Sequence, residues 1–232
     1  MANRTISENI NQAISDFKGI KQALIDKGEE IPQGTPTSEY GAKIEEIKGI
    51  VDTTDLKALI ERTTTNPKLP NDLTKIGDYA FYQYRNLVLT ELPSGVTSIG
   101  GSAFYGCSSL VLTELPSGVT SIGSSAFQSC SNLALTELPS GLTSIASNTF
   151  YTCNKLALTE LPSGITSIGM YGFRRCYKLT TLTFKGKPTS ISGDAFMECS
   201  NLKTIKVPWS EGEVANAPWG ATRATLIYSY TE

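Results

Sequence analysis

Four glutamates recur at a spacing of 23 residues, which could place carboxyl groups for acid–base chemistry. They are Glu91, Glu114, Glu137 and Glu160. Glycoside hydrolysis needs two carboxyl groups about 5 to 9.5 Å apart, and neighbouring copies would meet that distance. It also needs two different pKa values, which copies in identical surroundings do not supply. The chain has no histidine, the commonest general base. We therefore expect no catalytic residues and a protein that is not an enzyme.

Five cysteines share the spacing of 23 residues. They are Cys107, Cys130, Cys153, Cys176 and Cys199. An odd number of cysteines in one slot is unlike a disulfide scaffold, which uses varied positions. A straight row of thiols also lacks the convergent ligands of a metal site. The pattern predicts a reduced ladder of small buried side chains, with no metal and no cofactor.

The elements that must carry these residues form an internal repeat. Isoleucine, phenylalanine and leucine each recur six times with the same period, in series that begin at Ile76, Phe81 and Leu87. A unit of this length cannot bury an apolar face alone, whereas stacked units can. We expect parallel strands at 87–92 and its copies, a turn at the following Pro and Gly, and a helical turn at A-F-x-x-C.

The anchor residues I-G-x-x-A-F-x-x-C-x-x-L, followed by a strand ending in P-S-x-V-T-S, resemble the BspA-like type of leucine-rich repeat. This resemblance implies the α/β fold class, with a leucine-rich-repeat solenoid of 23-residue units preceded by an α-helical segment. The boundaries that we predict are an N-terminal cap at 53–75, repeats at 76–208 and a C-terminal cap at 209–232. Trp209 and Trp219 are expected to cover the last core layer.

Residues 1–52 follow the pattern of amphipathic helices. A capping box opens the segment at Thr5-x-x-Glu8. Apolar residues then alternate at spacings of four and three up to Leu24, which is a heptad seam along one helix face. A second helix is predicted to start near Pro36. The two helices form either a hairpin packed on the solenoid or one strand each of an oligomeric bundle.

The stretch from Ile31 to Ile44, Ile-x-x-Gly-Thr-Pro…Glu-Tyr-Gly-x-Lys-Ile, resembles N-terminal segments of phage and prophage tail-associated proteins that carry BspA-like repeats. This resemblance implies that the helices attach to other tail or virion proteins, or form a homo-oligomer. The start of the chain lacks the apolar core of a signal peptide. We therefore expect a virion or tail location, or a cytoplasmic one before assembly.

Two stripes of side chains follow the predicted strands. If residues alternate inward and outward, Leu89 and Glu91 point outward and Thr90 points inward. The equivalent outward pairs are Leu112 and Glu114, Leu135 and Glu137, and Leu158 and Glu160. An apolar stripe rimmed by charge is a candidate binding surface, although a row of carboxylates is also typical of a solvated face. The alternative register is a bulge that turns leucine inward and threonine outward.

The two residues between phenylalanine and cysteine differ from unit to unit, which is typical of exposed positions. Tyr82, Tyr105 and Tyr151 lie there and suit recognition of sugars or proteins. Arg174 and Arg175 lie there in a later unit. Basic residues crowd the last units, either to meet an anionic surface polymer or as a solvated edge.

Charge and hydropathy exclude two classes of partner. The net charge of −2 argues against nucleic-acid binding, and no apolar run approaches the roughly 20 residues of a membrane span. The leading hypothesis is a non-enzymatic phage or prophage tail-associated protein whose solenoid recognises a bacterial cell-surface glycan or protein. The alternatives are a bacterial surface or secreted adhesin that binds host extracellular protein, and a glycan-active enzyme.

Overall fold

The computed structural model describes residues 65–67, 69 and 71–231. Within these residues the chain winds into a β-solenoid of about 7 turns, with about 23 residues in each turn. The leucine-rich-repeat solenoid is therefore confirmed. No helix occurs in the described residues, so the α/β class is corrected to a β-solenoid. The helices predicted for residues 1–52 lie outside the described residues.

In the part of the chain that the structure describes, ten short strands pair one turn with another. They are β1 (Lys75–Ile76), β2 (Ser98–Ile99), β3 (Ser121–Ile122), β4 (Ser144–Ile145), β5 (Glu160–Leu161), β6 (Ser167–Ile168), β7 (Thr181–Phe184), β8 (Ser190–Ile191), β9 (Thr204–Lys206) and β10 (Thr225–Ile227). Every pair is parallel, and within the repeats each residue pairs with its own copy 23 residues away, as Ile76 does with Ile99. The sheet orders are β1-β2-β3, β4-β6-β8 and β10-β9-β7-β5.

The most regular pairing lies at the T-S-I run, and not at the segment predicted as the strand. All six copies of T-S-I (or its equivalent) form strands, whereas the copies of 87–92 do so only from β5 onward. The earlier copies make only one or two backbone bonds to the preceding turn, such as Ala134 N–H to the Leu112 carbonyl at 3.0 Å. The side-chain register described below explains this difference.

The A-F-x-x-C segment forms turns instead of the predicted helical turn. Each cysteine N–H bonds the phenylalanine carbonyl three residues earlier, as Cys107 does at 3.1 Å. Alternate N–H groups point away to the following turn, as Phe104 N–H does to the Ala126 carbonyl at 2.7 Å. The residue before cysteine has a positive φ in every turn, for example 72° at Gly106 and 59° at Thr152. This left-handed residue prevents the run of successive bonds that an α-helix requires.

The two sides of the solenoid differ in the direction of many backbone donors. At the T-S-I run the N–H groups that flank the paired residues bond the preceding turn, as Thr97 N–H does to the Thr74 carbonyl at 2.8 Å. At the A-F-x-x-C segment they bond the following turn. The chain is thus tied to both neighbours in every turn, which satisfies the backbone on both sides.

The core consists of columns of identical side chains. Six phenylalanines from Phe81 to Phe196 stack in one column, with centroids of neighbouring rings 5.1 to 5.7 Å apart and planes within 15°. The isoleucine and leucine columns are buried beside it. At the C-terminal end Trp209 and Trp219 pack against Phe184, at centroid distances of 5.3 and 5.9 Å. Along the residues described, no helix is long and apolar enough to cross a membrane.

Replacing Phe127 by alanine should lower the free energy of unfolding by about 3–5 kcal/mol, because the ring is fully buried between Phe104 and Phe150. Urea titration followed by circular dichroism measures this change. The adjacent Gln128→Ala substitution is the control, because its half-exposed side chain leaves the column intact and should cost less than about 0.5 kcal/mol. Equal losses in the two variants would contradict the stacked-column account.

Candidate binding surfaces

The structure reverses the expected direction of the leucine stripe. Leu89, Leu112, Leu135 and Leu158 are at most 3% exposed and belong to the core. The threonine that follows each of them is exposed, and so is the glutamate after that. The expectation that these leucines face outward and bind a partner is wrong, whereas the outward position of Glu91, Glu114, Glu137 and Glu160 is confirmed. The alternative of a bulge is the correct register.

The cause of the bulge is visible where a unit with threonine at the fourth strand position pairs with a unit that has leucine there. The pairing of Glu160 with Thr183 places Thr159 opposite the buried Leu182. In the later unit leucine at this slot points inward, and residues alternate as in a regular strand. In the four earlier units threonine holds the slot, so the leucine one position earlier turns inward instead. Two exposed residues then separate two buried ones, which breaks the period of two that a strand requires.

The exposed threonines and glutamates form one surface, which we call the Thr-Glu surface. Its residues are Thr90, Glu91, Thr113, Glu114, Thr136, Glu137, Thr159 and Glu160. Neighbouring copies follow one another at about the 4.8 Å spacing of paired strands. Lys185 Nζ lies 3.1 Å from a carboxylate oxygen of Glu160. The other three glutamates form no ion pair with any described residue, so their charge remains available to a partner.

The tyrosines between phenylalanine and cysteine are half-buried, and two of them contact each other. The rings of Tyr82 and Tyr105 stack at 4.9 Å. Tyr79, which the sequence argument did not single out, lies edge-on to Tyr82 at 5.6 Å. Its ring is 64% exposed. Tyr151 lies in a separate group, beside Tyr171 at 6.5 Å.

Arg174 and Arg175 do not form a free basic patch. Both guanidinium groups bond the Glu198 carboxylate, Arg174 at one oxygen and Arg175 at the other. Hydrogen bonds from Arg175 and Arg174 hold the pKa of that carboxyl below its usual range. The Arg174 guanidinium also lies over the rings of Tyr151 and Tyr171, at 5.3 and 4.9 Å. This network ties two turns together and neutralises one of its two positive charges.

The five cysteines are buried thiols, as the ladder pattern predicted. Each Sγ–H donates to the carbonyl of a phenylalanine 26 residues earlier, at 2.9 to 3.1 Å. Burial raises the pKa of Cys130, Cys153 and Cys176 well above the ordinary value, and that of Cys199 to about 12. Such thiols are poor nucleophiles because little thiolate forms. Among the described residues, no group of three or more cysteine or acidic side chains could hold a metal ion.

Comparison with known families identifies the repeat. The model of the BspA type leucine rich repeat region matches residues 57–157 and 134–217. No curated protein matches the chain significantly.

Solved structures that are similar to this chain include two bacterial leucine rich repeat proteins. A leucine rich repeat protein from T. pallidum is 27% identical, with a TM-score of 0.54, over 69% of this chain and 78% of that one. A leucine rich cell surface protein from Faecalibacterium prausnitzii is 32% identical, with a TM-score of 0.45, over 58% of this chain. The matched region spans 43% of the F. prausnitzii protein, which is less than half of its length.

Paired substitutions test the register of the Thr-Glu surface. Leu135→Ala should lower the free energy of unfolding by about 2–5 kcal/mol, because a fully buried leucine leaves a cavity. Thr136→Ala should change it by less than about 0.5 kcal/mol, because that side chain is exposed. Both values come from urea titration at neutral pH. If Thr136→Ala lowered the free energy of unfolding more than Leu135→Ala does, the register with threonine inward and leucine outward would be the correct one.

The raised thiol pKa values predict a loss of stability in alkali. A group with a raised pKa in the folded state contributes stability that is complete below its unfolded pKa and is lost as pH rises through the folded pKa. For Cys199 this window runs from about 9 to about 12. The free energy of unfolding should fall across it, and Cys199→Ala should fall less steeply. Urea titrations at a series of pH values measure both slopes, and identical slopes would exclude a contribution from Cys199.

Proposed function

This chain belongs to the BspA type of leucine-rich repeat proteins, and from that premise we propose that its solenoid is a non-enzymatic module that binds a component of a bacterial cell surface. The observation that carries the proposal is the Thr-Glu surface. The core accounts for the apolar residues of each turn, and folding does not require these exposed hydroxyl and carboxylate groups. A repeated row of such groups suits an extended glycan or protein partner.

The same surface argues against the enzyme alternative. Glu91, Glu114 and Glu137 are exposed and occupy equivalent positions on successive turns. A glycosidase places its two carboxyl groups in different surroundings, so that one is protonated when the other is not. Equivalent exposed carboxylates do not meet that requirement. Binding is the role that this arrangement serves.

The setting that we propose is a phage or prophage tail. It rests on the resemblance of the stretch from Ile31 to Ile44 to tail-associated proteins. In this setting residues 1–52 attach the solenoid to other tail or virion proteins, with or without self-association, and the protein is cytoplasmic before assembly. Light scattering of the chain with and without residues 1–50 tests self-association, which an unchanged monomer mass would exclude.

A bacterial surface adhesin is the second candidate. The resemblance to BspA-like proteins favours it, because that type is associated with binding of host extracellular protein. The two settings differ in the partner and share the Thr-Glu surface. Pull-down of the full chain on bacterial envelopes, compared with host matrix protein, separates them.

Reversing one charge on the Thr-Glu surface should weaken binding to whole bacterial cells. We expect Glu114→Lys to reduce the affinity of the full chain about tenfold, which corresponds to about 1.4 kcal/mol. The control is Glu211→Lys, which makes the same charge change at an exposed site outside this surface. Sedimentation of cells with labelled protein measures both affinities. Equal weakening by both substitutions would show that the Thr-Glu surface is not the binding surface. If the wild-type chain binds no envelope preparation from candidate hosts, the proposed function is wrong.

A further inference from the structure

The first complete turn combines three neighbouring exposed residues that no later turn combines. Lys75 lies where the five later turns have serine. Asp78 lies where the copies are Gly101, Ser124, Ser147, Met170 and Gly193. Tyr79 lies where the copies are Ser102, Ser125, Asn148, Tyr171 and Asp194. The buried Ile76 and Phe81 of this turn are the same as in the other turns, whereas the buried Tyr84 stands where the later turns have cysteine.

Tyr79 has a backbone conformation that disfavours a bulky side chain. Its φ is 57°, in the left-handed region where a bulky side chain is strained. Its ring is 64% exposed and contributes an edge contact to Tyr82 without entering the core. Serine takes the same conformation in the next two turns, at 53° and 56°. An aromatic ring held in strained backbone at the surface is typical of a functional position.

A shallow cavity is lined by Asp78, the residue before Tyr79, and Tyr79 itself is not among its lining residues. Its volume is about 420 Å³, within the range of small-ligand sites. The side chains that line it include Lys75, Asp78, Ser98 and Ser121. A ligand of one or two sugar units fits this volume, whereas a protein partner needs about 800 Å² of contact.

The cavity presents both donors and acceptors. Asp78 Oδ1 accepts a hydrogen bond from Gly101 N–H at 2.6 Å, which holds the carboxylate in place. Its Oδ2 forms no bond with a described residue and is left to accept from a ligand. Lys75 forms no ion pair with a described residue, so its ammonium group can donate. The two serine hydroxyls can donate or accept.

We propose that Lys75, Asp78, Tyr79, Ser98 and Ser121 form a carbohydrate-binding site, the Tyr79 site, at the first complete turn. The Tyr79 ring stacks on the apolar C–H face of a pyranose. The carboxylate, ammonium and hydroxyl groups of the cavity bond the sugar hydroxyls. This site deepens the proposed surface-binding function, on which it rests, by naming a glycan as the partner of a defined set of residues.

The charges of the Tyr79 site favour a neutral sugar over an anionic ligand. Asp78 and Lys75 together carry no net charge, and a phosphate or sulfate placed there would lie against the Asp78 carboxylate. A nucleic-acid ligand is disfavoured for the same reason. The hydroxyl-rich edge and apolar face of a pyranose match a site that combines polar groups with one exposed aromatic ring.

The same slot supplies a matched control in a later turn. Tyr171 also has a positive φ, of 57°, but the Arg174 guanidinium lies over its ring at 4.9 Å. The cation therefore occupies a face to which a sugar would stack. The Tyr79 ring has no cation over it among the described residues.

The test uses the full chain and a panel of neutral oligosaccharides built from glucose, galactose, mannose and N-acetylglucosamine. Saturation-transfer NMR detects binding, and isothermal titration measures affinity. We expect at least one oligosaccharide to bind, Tyr79→Ser to weaken it at least tenfold, and Tyr171→Ser to leave it within twofold. Tyr79→Ser installs the residue of the next two turns, so its fold should persist, and urea titration verifies this. Asp78→Asn, which keeps the acceptor for Gly101, should weaken binding without unfolding the turn.

Three results would overturn the Tyr79 site. They are no binding of any oligosaccharide by the wild-type chain, undiminished binding by Tyr79→Ser, and equal weakening by Tyr171→Ser. If the chain binds bacterial envelopes but no oligosaccharide, the Tyr79 site is refuted and the proposed surface-binding function stands. If the chain binds oligosaccharide through Tyr79 but binds no envelope preparation, the Tyr79 site is supported and the proposed surface-binding function is wrong.

Discussion

The structure depends on the in-register pairing of each turn with its own copy. Ile76 pairs with Ile99, Ile99 with Ile122, and Ile145 with Ile168. The pairing places every side chain over its equivalent in the next turn, so one choice of residue is repeated along the whole array. A buried position of the repeat, such as that of phenylalanine or cysteine, must then hold a residue that packs against its own copy in the next turn. The stacked rings and the thiol bonds to phenylalanine carbonyls are the two solutions that this chain uses.

The same constraint determines which residues can carry function. A change at a buried position must be accommodated by both neighbouring turns, as Thr149 is between Ala126 and Gly172. Exposed slots are free of that limit, so differences between turns collect at the surface. Three groups of residues lie in exposed or half-exposed positions: the glutamates of the Thr-Glu surface, the network of Arg174, Arg175 and Glu198, and the residues around Tyr79. Binding properties can therefore differ along a scaffold that is uniform inside.

The period and the buried columns could be predicted from the sequence because both follow from spacing alone. The direction of Leu89 could not be predicted so simply. Its position is outward if residues alternate back from the buried Leu92, whereas the observed register buries all three leucines of 87–92. The usable signal was Thr90, which replaces the Leu182 and Ile205 of the later units; a polar residue at a core slot favours the bulge. Tyr79 could not be predicted from the variable positions between phenylalanine and cysteine, because it lies outside them and its strain is visible only in the backbone angle.

The opposed directions of the backbone donors have an electrostatic consequence. The N–H groups that flank the T-S-I strands point to the preceding turn, and alternate N–H groups on the A-F-x-x-C side point to the following one. These peptide dipoles oppose each other in part, unlike the aligned dipoles of a helix, which add along its length. Further turns therefore add dipoles that partly offset one another. A chain of this design can gain or lose whole turns with a smaller change of field at its ends than a lengthening helix would show.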